Sequence, residues 1–241
     1  MDDKVKEFVE SLYKDMEEAL KRVYKHQKDS RDKLLKEIAM TILIYTVLND
    51  VLSVSESDCK KRYNLLTALI IKLIRDDIKQ EKQCINEILT GTVKKTFEFY
   101  SYNYNLEDVK KIIDDNFKGK HFSKRIWNNE QEVAKKLIKQ CQDFLQGKIN
   151  VNQIAKEIKN TYNTSAYNAK RLVETEISRC HIDAFEKFCE ETGVEKLKYN
   201  AILDSKSCND CRGYDGKVYE FGKHPRLPRH PCCRCYYDIE E

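Results

Sequence analysis

The chain lacks proline before Pro225 and carries only four glycines before Cys208. Neither a ring-locked φ nor a free hinge therefore obliges the first two hundred or so residues to break, and long helices are expected there. It also lacks a long hydrophobic run. The longest, Ile38 to Leu48, spans 11 residues between Glu37 and Asn49, short of the roughly 20 a bilayer-crossing helix needs; a buried helix is expected, and no membrane span. Charge of one sign is not in excess: 44 Lys and Arg stand against 40 Asp and Glu, a formal net charge of +4. That balance argues against a dedicated nucleic-acid binder and for solvated helix faces. The N-terminus MDDKVKEF has no apolar signal region, so a chain made and kept in the cytoplasm is expected. In a reducing compartment ten cysteines are thiols and metal ligands before they are a disulfide framework. No internal repeat and no low-complexity tract occurs. With 41% hydrophobic and 35% charged residues, the composition is that of a globular protein with a real core.

What is present begins with amphipathic stripes. Val5, Phe8, Val9, Leu12, Tyr13, Met16, Leu20 and Val23 recur at steps of three and four, one apolar face of a helix. A second helix is expected to start near Ser30 with Leu34, Leu35, Ile38, Ile42 and Leu43. A third should start near Ser57 with Leu65, Leu66, Leu69, Ile70, Leu73 and Ile74; together these read as a bundle core. Asn105 caps a shorter helix ending near Gly119, Ser123 opens one closing at Gly147, Ile154 to Tyr162 form a short helix after Asn152, and Ser165 opens one closing at Gly193. Past Gly193 the period changes to two. KLKYNAIL reads as a strand from Lys196 to Leu203, and shorter strands are expected at Lys217 to Phe221, after the turn Asp215-Gly216, and at Cys235 to Ile239.

The last thirty-four residues hold five of the ten cysteines and all three prolines. Cys208-x-x-Cys211 is followed, with 18 residues between Cys211 and His230, by His230-x-x-Cys233. Two such corners let one chain supply the four soft or borderline ligands of tetrahedral Zn²⁺. Cys232-x-x-Cys235 offers a competing register, so six side chains, Cys208, Cys211, His230, Cys232, Cys233 and Cys235, contend for four places. So small a β segment buries little surface alone, and a structural metal supplies the missing folding free energy, on the order of 10 kcal/mol or more. The surplus of thiolates favours a closed structural site over a catalytic one with an open position.

With these residues in view, the stretch from about Phe122 to Tyr237 resembles the phage Mu F-like head morphogenesis family, also described as minor capsid or minor head proteins. The resemblance rests on FSKRIW at Phe122 to Trp127, INVNQIAKEI after Gly147, ETE at Glu174 to Glu176, DSKSCNDCRGYDG at Asp204 to Gly216, and LPRHPCCRC. Such proteins typically end in a proline-led His-Pro-Asn-Cys-Arg-Cys motif after a strand and a Cys-x-x-Cys turn. Pro228, His230, Pro231, Cys233, Arg234 and Cys235 fall on it. Cys232 stands where the family commonly has Asn, which marks it as an extra thiol and favours the register using His230, Cys233 and Cys235. Glu174 stands where many members carry Arg; Arg171 or Arg179 would supply that charge. The resemblance implies a structural protein, not an enzyme, that joins the procapsid, associates with the portal, major capsid or scaffold protein and with phage DNA as a further candidate partner, and resides in the virion after assembly in the host cytoplasm. With few residues after Cys235, no appended toxin or enzyme domain is expected. The expected fold is mainly α: an elongated helical bundle over 1–120, the helical part of the shared module over 121–195, and a small β zinc-binding module over 196–241.

Other signals have plainer readings. Pro231-Cys232-x-x-Cys235 imitates half of the zinc deaminase signature, but the upstream His181-Ile182-Asp183 lacks the required glutamate. Cys59, Cys84, Cys141, Cys180 and Cys189 fall at helical positions and suit a core. His224 is expected to be solvent-exposed or a further ligand. Glu176 and Arg179, three apart, are expected to pair on a helix surface for about 0.3 kcal/mol or to contact the zinc module. Arg234, between two candidate ligands, is expected to be structural. Lys223, Arg226 and Arg229 form a basic loop without acids that could meet phosphates or an acidic partner, and the alternative function is a zinc-stabilised nucleic-acid binder. Phe97, Phe99, Tyr100, Tyr102 and Tyr104 are expected to pack a helix end against a neighbour.

Overall fold

A computed structural model describes residues 2–203 and 208–240. Its order is α1 (Asp2–Ile44), β1 (Thr46–Leu48), β2 (Val51–Ser53), α2 (Glu56–Phe99), α3 (Leu106–Asp114), α4 (Phe122–Leu145), α5 (Val151–Thr192), β3 (Lys196–Asn200), α6 (Asn209–Arg212), β4 (Val218–Glu220) and β5 (Tyr236–Glu240). The fold is mainly α with a small β part, and among the described residues no helix is long and apolar enough to cross a membrane.

The helix starts follow from side chains that satisfy the first free N–H groups. Ser55 accepts from Asp58 N at 3.2 Å ahead of α2. Asn105 and Asp108 form a capping box on α3, and Asn150 Oδ1 takes Asn152 N and Gln153 N at 3.0 and 2.9 Å ahead of α5. Gly147 closes α4 at φ +73, and a Cβ there would meet Val51 Cγ1 at 2.7 Å, so both backbone conformation and close approach require glycine.

Several sequence expectations are corrected. Helix α1 does not restart near Ser30: the Ser30 hydroxyl donates to Asp77 Oδ1 at 2.8 Å instead of capping a backbone. The expected short helix after Asn152 and the helix from Ser165 are one, α5, because buried Ser165 donates to Glu130 Oε1 at 2.6 Å. Helix α3 ends at Asp114, ahead of Gly119. Ile38 to Leu48 is not a buried helix. Helix α1 ends at Ile44, leaving Leu43 79% exposed, and Thr46 to Ser53 is a hairpin whose turn residues Asn49 and Asp50 both have positive φ, 49° and 62°, the signature of a type I′ turn. The first C-terminal strand stops at Asn200 before the expected Leu203; Asp204 to Ser207 lie outside the described residues.

The chain packs into two compact units, neither continuous in sequence. One comprises Lys21–Gln83 and Ser123–Ala169. Its core gathers Leu34, Ile38, Leu66, Ile70, Leu137, Phe144, Ile154 and Ile158. The same unit buries a polar layer: Gln27 and Ser30 from α1, Asp77 and Glu81 from α2, Glu130 from α4 and Ser165 from α5. Gln27 Nε2 donates to Ser165 Oγ at 2.9 Å, and His26 Nδ1 lies 2.7 Å from Asp77 Oδ1. Burial raises the Glu130 carboxyl to about 7 and raises Asp77 and Glu81 as well.

The other unit comprises Met1–Leu20, Cys84–Phe122 and Lys170–Glu241. Its β-sheet has the order β4-β3-β5, all antiparallel. Leu197 pairs with Tyr219 on one side and Ile239 on the other. Leu197, Tyr199 and Tyr237 pack with Val5 and Val9 of α1 and Ile182, Phe185 and Cys189 of α5. The small sheet thus gains its core from helices. The aromatic cluster joins them as expected: Phe99 stacks on Phe8 at 4.2 Å between ring centres, and Tyr100 stacks on Phe188 at 5.0 Å.

Candidate metal centre

Strand β3 leads away from α5 into α6, a single helical turn that begins at Cys208. Cys208 Sγ accepts from Cys211 N at 3.3 Å, so the thiol at the start of the turn takes the place of a cap and both cysteines of the corner face one side. The second corner is a tight turn, in which Cys233 N donates to His230 O at 3.2 Å. His230 Nδ1 meets Pro231 O at 2.9 Å. With Nδ1 donating, Nε2 keeps its lone pair and is aimed at the sulfurs, as a metal-ligating imidazole requires.

The corners converge. His230 Nε2 lies 3.1 Å from Cys208 Sγ and 3.2 Å from Cys211 Sγ, and Cys211 Sγ lies 3.8 Å from Cys233 Sγ. The ligand atoms of Cys208, Cys211 and His230 fall within 4.8 Å of one another, and so do those of Cys211, Cys233 and Cys235; Cys211 belongs to both triads. Bond lengths of about 2.3 Å to sulfur and 2.0–2.1 Å to nitrogen give a tetrahedral zinc site edges of about 3.8 Å (S to S) and about 3.6 Å (S to N). The Cys211–Cys233 separation matches the first, and the two distances from His230 Nε2 to sulfur are within half an ångström of the second. All ten cysteines are free thiols.

Protonation divides the cluster: Cys208 and Cys233 are eased toward the thiolate, whereas Cys211, Cys235 and His230 hold their protons more tightly. The Cys235 thiol hydrogen-bonds Cys233 and pulls it down to about 5 against its burial, while Cys235 itself is raised. The Cys211 backbone N–H lowers Cys208. Burial pushes Cys211 up to about 12, a cost that a bound cation would offset. Burial opposes protonation of His230, but the Pro231 carbonyl and the neighbouring thiolates outweigh it and raise its pKa. Among the described residues the buried Tyr199 hydroxyl has no well-formed hydrogen bond, and its nearest polar neighbours are the Cys235 and Cys211 sulfurs. A thiolate there would give it an acceptor, so the residues present fit a soft divalent ion.

Cys232, the competing ligand in the sequence, is not in the cluster. Its Sγ lies 4.0 Å from Arg171 O on α5, and its N–H donates to Thr175 Oγ1 at 3.1 Å. His224 is neither exposed nor part of the Cys/His cluster: its side chain is 7% exposed and its Nε2 lies 2.9 Å from Glu186 Oε1. The Glu176–Arg179 pair is not on a surface. Arg179 is fully buried, with Nε 2.8 Å from Glu176 Oε2 and Nη1 2.8 Å from Asp183 Oδ2. Its Nη1 and Nη2 also donate to Ile112 O and Ile113 O at 2.7 and 3.4 Å, closing the carbonyl end of α3. Arg234, between Cys233 and Cys235, is half-buried. The basic loop is not free of acids in space: Lys223 meets Glu220, Arg226 meets Asp115 at 3.7 Å, and Arg229 meets Asp210 at 2.9 Å while lying 4.1 Å over the Tyr214 ring. His181, the nominal deaminase histidine, is in the core, 3.2 Å from Thr96 Oγ1. Sequence reasoning missed Thr175 and Tyr199 as neighbours of the site. The signals present were the ETE stretch that contains Thr175 and the period-two pattern that places Tyr199 on the same face as Leu197.

Among families of known proteins, the one described as phage Mu protein F like protein matches residues 131–237. No curated protein and no solved structure matches the chain significantly.

Proposed function

We propose, from the match of residues 131–237 to the family described as phage Mu protein F like protein, that the protein is a structural minor component of a tailed-phage or prophage head. It joins the procapsid in the host cytoplasm through the portal or its capsid and scaffold neighbours and remains in the virion. In this reading Zn²⁺ is structural, held by Cys208, Cys211, His230 and Cys233, with Cys235 supporting Cys233 as a hydrogen-bond donor. The observation that carries the metal part is the convergence of two x-x corners, 22 residues apart in sequence at Cys211 and Cys233, to a sulfur separation of 3.8 Å. A closed shell of four ligands fixes the fold of a short segment and leaves no position for substrate, which suits an assembly role. The carboxylates facing Lys223, Arg226 and Arg229 leave the basic loop a weak field for phosphates, so nothing favours the nucleic-acid reading over this one.

Gradient-purified particles test the assembly reading. Immunoblots of intact heads, DNA-emptied heads and portal complexes should find the chain in heads and on portal complexes after nuclease treatment. Its absence from all three, with the protein free in the lysate, would contradict the proposal.

A further inference from the structure

We infer that Thr175 is a positioning residue for the metal centre, holding the ligand turn His230-Pro231-Cys232-Cys233 against α5. The inference rests on the metal reading above and adds to it the residue that fixes the geometry of the second corner.

The turn's own chemistry sets up the need. Cys233 N donates to His230 O, so His230 and Cys233 are the first and last residues of a four-residue turn. Pro231 follows His230, with its φ locked negative by the ring. Cys232 comes third with φ +61. Proline second and a left-handed residue third define a type II turn, a shape in which the third position is ordinarily Gly or Asn. A cysteine there is held against its backbone preference, so something outside the turn must select that conformation. The third residue's N–H is also unused by the turn and points away from the His230–Cys233 bond.

Thr175 meets both needs. Its hydroxyl proton is committed to Arg171 O, 2.8 Å away in the preceding helical turn. That aims an oxygen lone pair outward, and Cys232 N donates to it at 3.1 Å. Thr175 is 2% exposed and sits on a helix whose rotation is fixed next door by buried Glu176 and Arg179. One oxygen on a rigid helix thereby anchors the backbone midway between two proposed ligands. The hydrogen bond ties the backbone of the left-handed residue to α5 from outside the turn, beside the contact of its Sγ with Arg171 O at 4.0 Å. Metal-site groups one bond removed from the ligands commonly change affinity by about ten- to a hundredfold.

The test is metal competition against a chromophoric chelator on the full chain, with cobalt substitution as a spectroscopic readout. Thr175→Val keeps the shape and removes the oxygen. It is expected to weaken Zn²⁺ about ten- to a hundredfold and to reduce the visible cobalt bands, whereas Thr175→Ser, which keeps the hydroxyl, stays within about threefold of the parent. Thr175→Ala gives the same comparison if the valine variant does not fold. Cys232→Gly, free of the backbone strain and of the spare thiol, should bind one metal at least as tightly as the parent. Valine and alanine variants within about threefold of the parent, with unchanged cobalt spectra, would overturn the inference, and so would loss of metal in Cys232→Gly, which would make that sulfur a ligand. A parent chain that binds no metal would overturn the zinc reading itself, a distinct result.

Discussion

At Arg179 a guanidinium that water cannot reach is satisfied by two carboxylates of its own helix and two carbonyls at the end of α3. Spacing in the sequence showed the i,i+3 pair with Glu176 but not its burial, because Ile112, Ile113 and the other covering residues come from distant chain. The difference changes the energetics by an order of magnitude. An exposed pair is worth a few tenths of a kcal/mol; removing one partner of a buried one leaves the others desolvated and unpaired, at about 3–5 kcal/mol. Arg179→Met should therefore lower unfolding free energy in urea by that amount, and Arg179→Lys should recover only part of it, since one ammonium cannot reach both carboxylates and both carbonyls. A loss below about 1 kcal/mol in Arg179→Met would contradict the buried network.

Among elements, caps were legible and continuity was not. Asn105 and the helix stop at Gly147 could be read from the sequence because they act within a few residues of themselves. Ser30 and Ser165 are also good cap residues, and they suggested breaks where none exist; each instead serves a buried polar layer whose members lie 47 and 35 residues away, at Asp77 and Glu130. The hairpin was missed because Asn49-Asp50 follows an apolar run that resembles a helix, and only the flanking TVL and VLS hinted at strands. The layer carries a measurable consequence. Glu130, with a folded pKa near 7 against an ordinary 4.5, binds a proton more tightly folded than unfolded. Its contribution is fully present below about pH 4.5 and is lost as pH rises through 7. Glu130→Gln, which retains an acceptor for Ser165, should be neutral near pH 4 and stabilising by on the order of 3 kcal/mol at pH 8. Thermal unfolding across that range checks it, and a pH-independent effect would contradict the buried carboxyl.

For the molecule as a whole, α1, α2 and α5 each supply residues to both compact units, an interleaving that chain order cannot disclose. The candidate metal site was more legible than the fold around it, since two-residue gaps and histidine-proline punctuation are local, and Cys208, Cys211, His230, Cys233 and Cys235 fall into two triads that share Cys211. Its surroundings were not, because His224, Arg226 and Arg229 find their partners at Glu186, Asp115 and Asp210. The sheet's core is shared with α1 and α5, so a bound ion would order the β module within a unit that helices already define. Metal removal should then loosen residues 208–240 while most helical signal persists.

The most direct measurement is elemental analysis of the chain purified without added metal, paired with alkylation of native thiols. The account predicts one zinc per chain, with Cys208, Cys211 and Cys233 protected until a chelator is added. A chain free of transition metal whose three thiols react at once in the native state would contradict it.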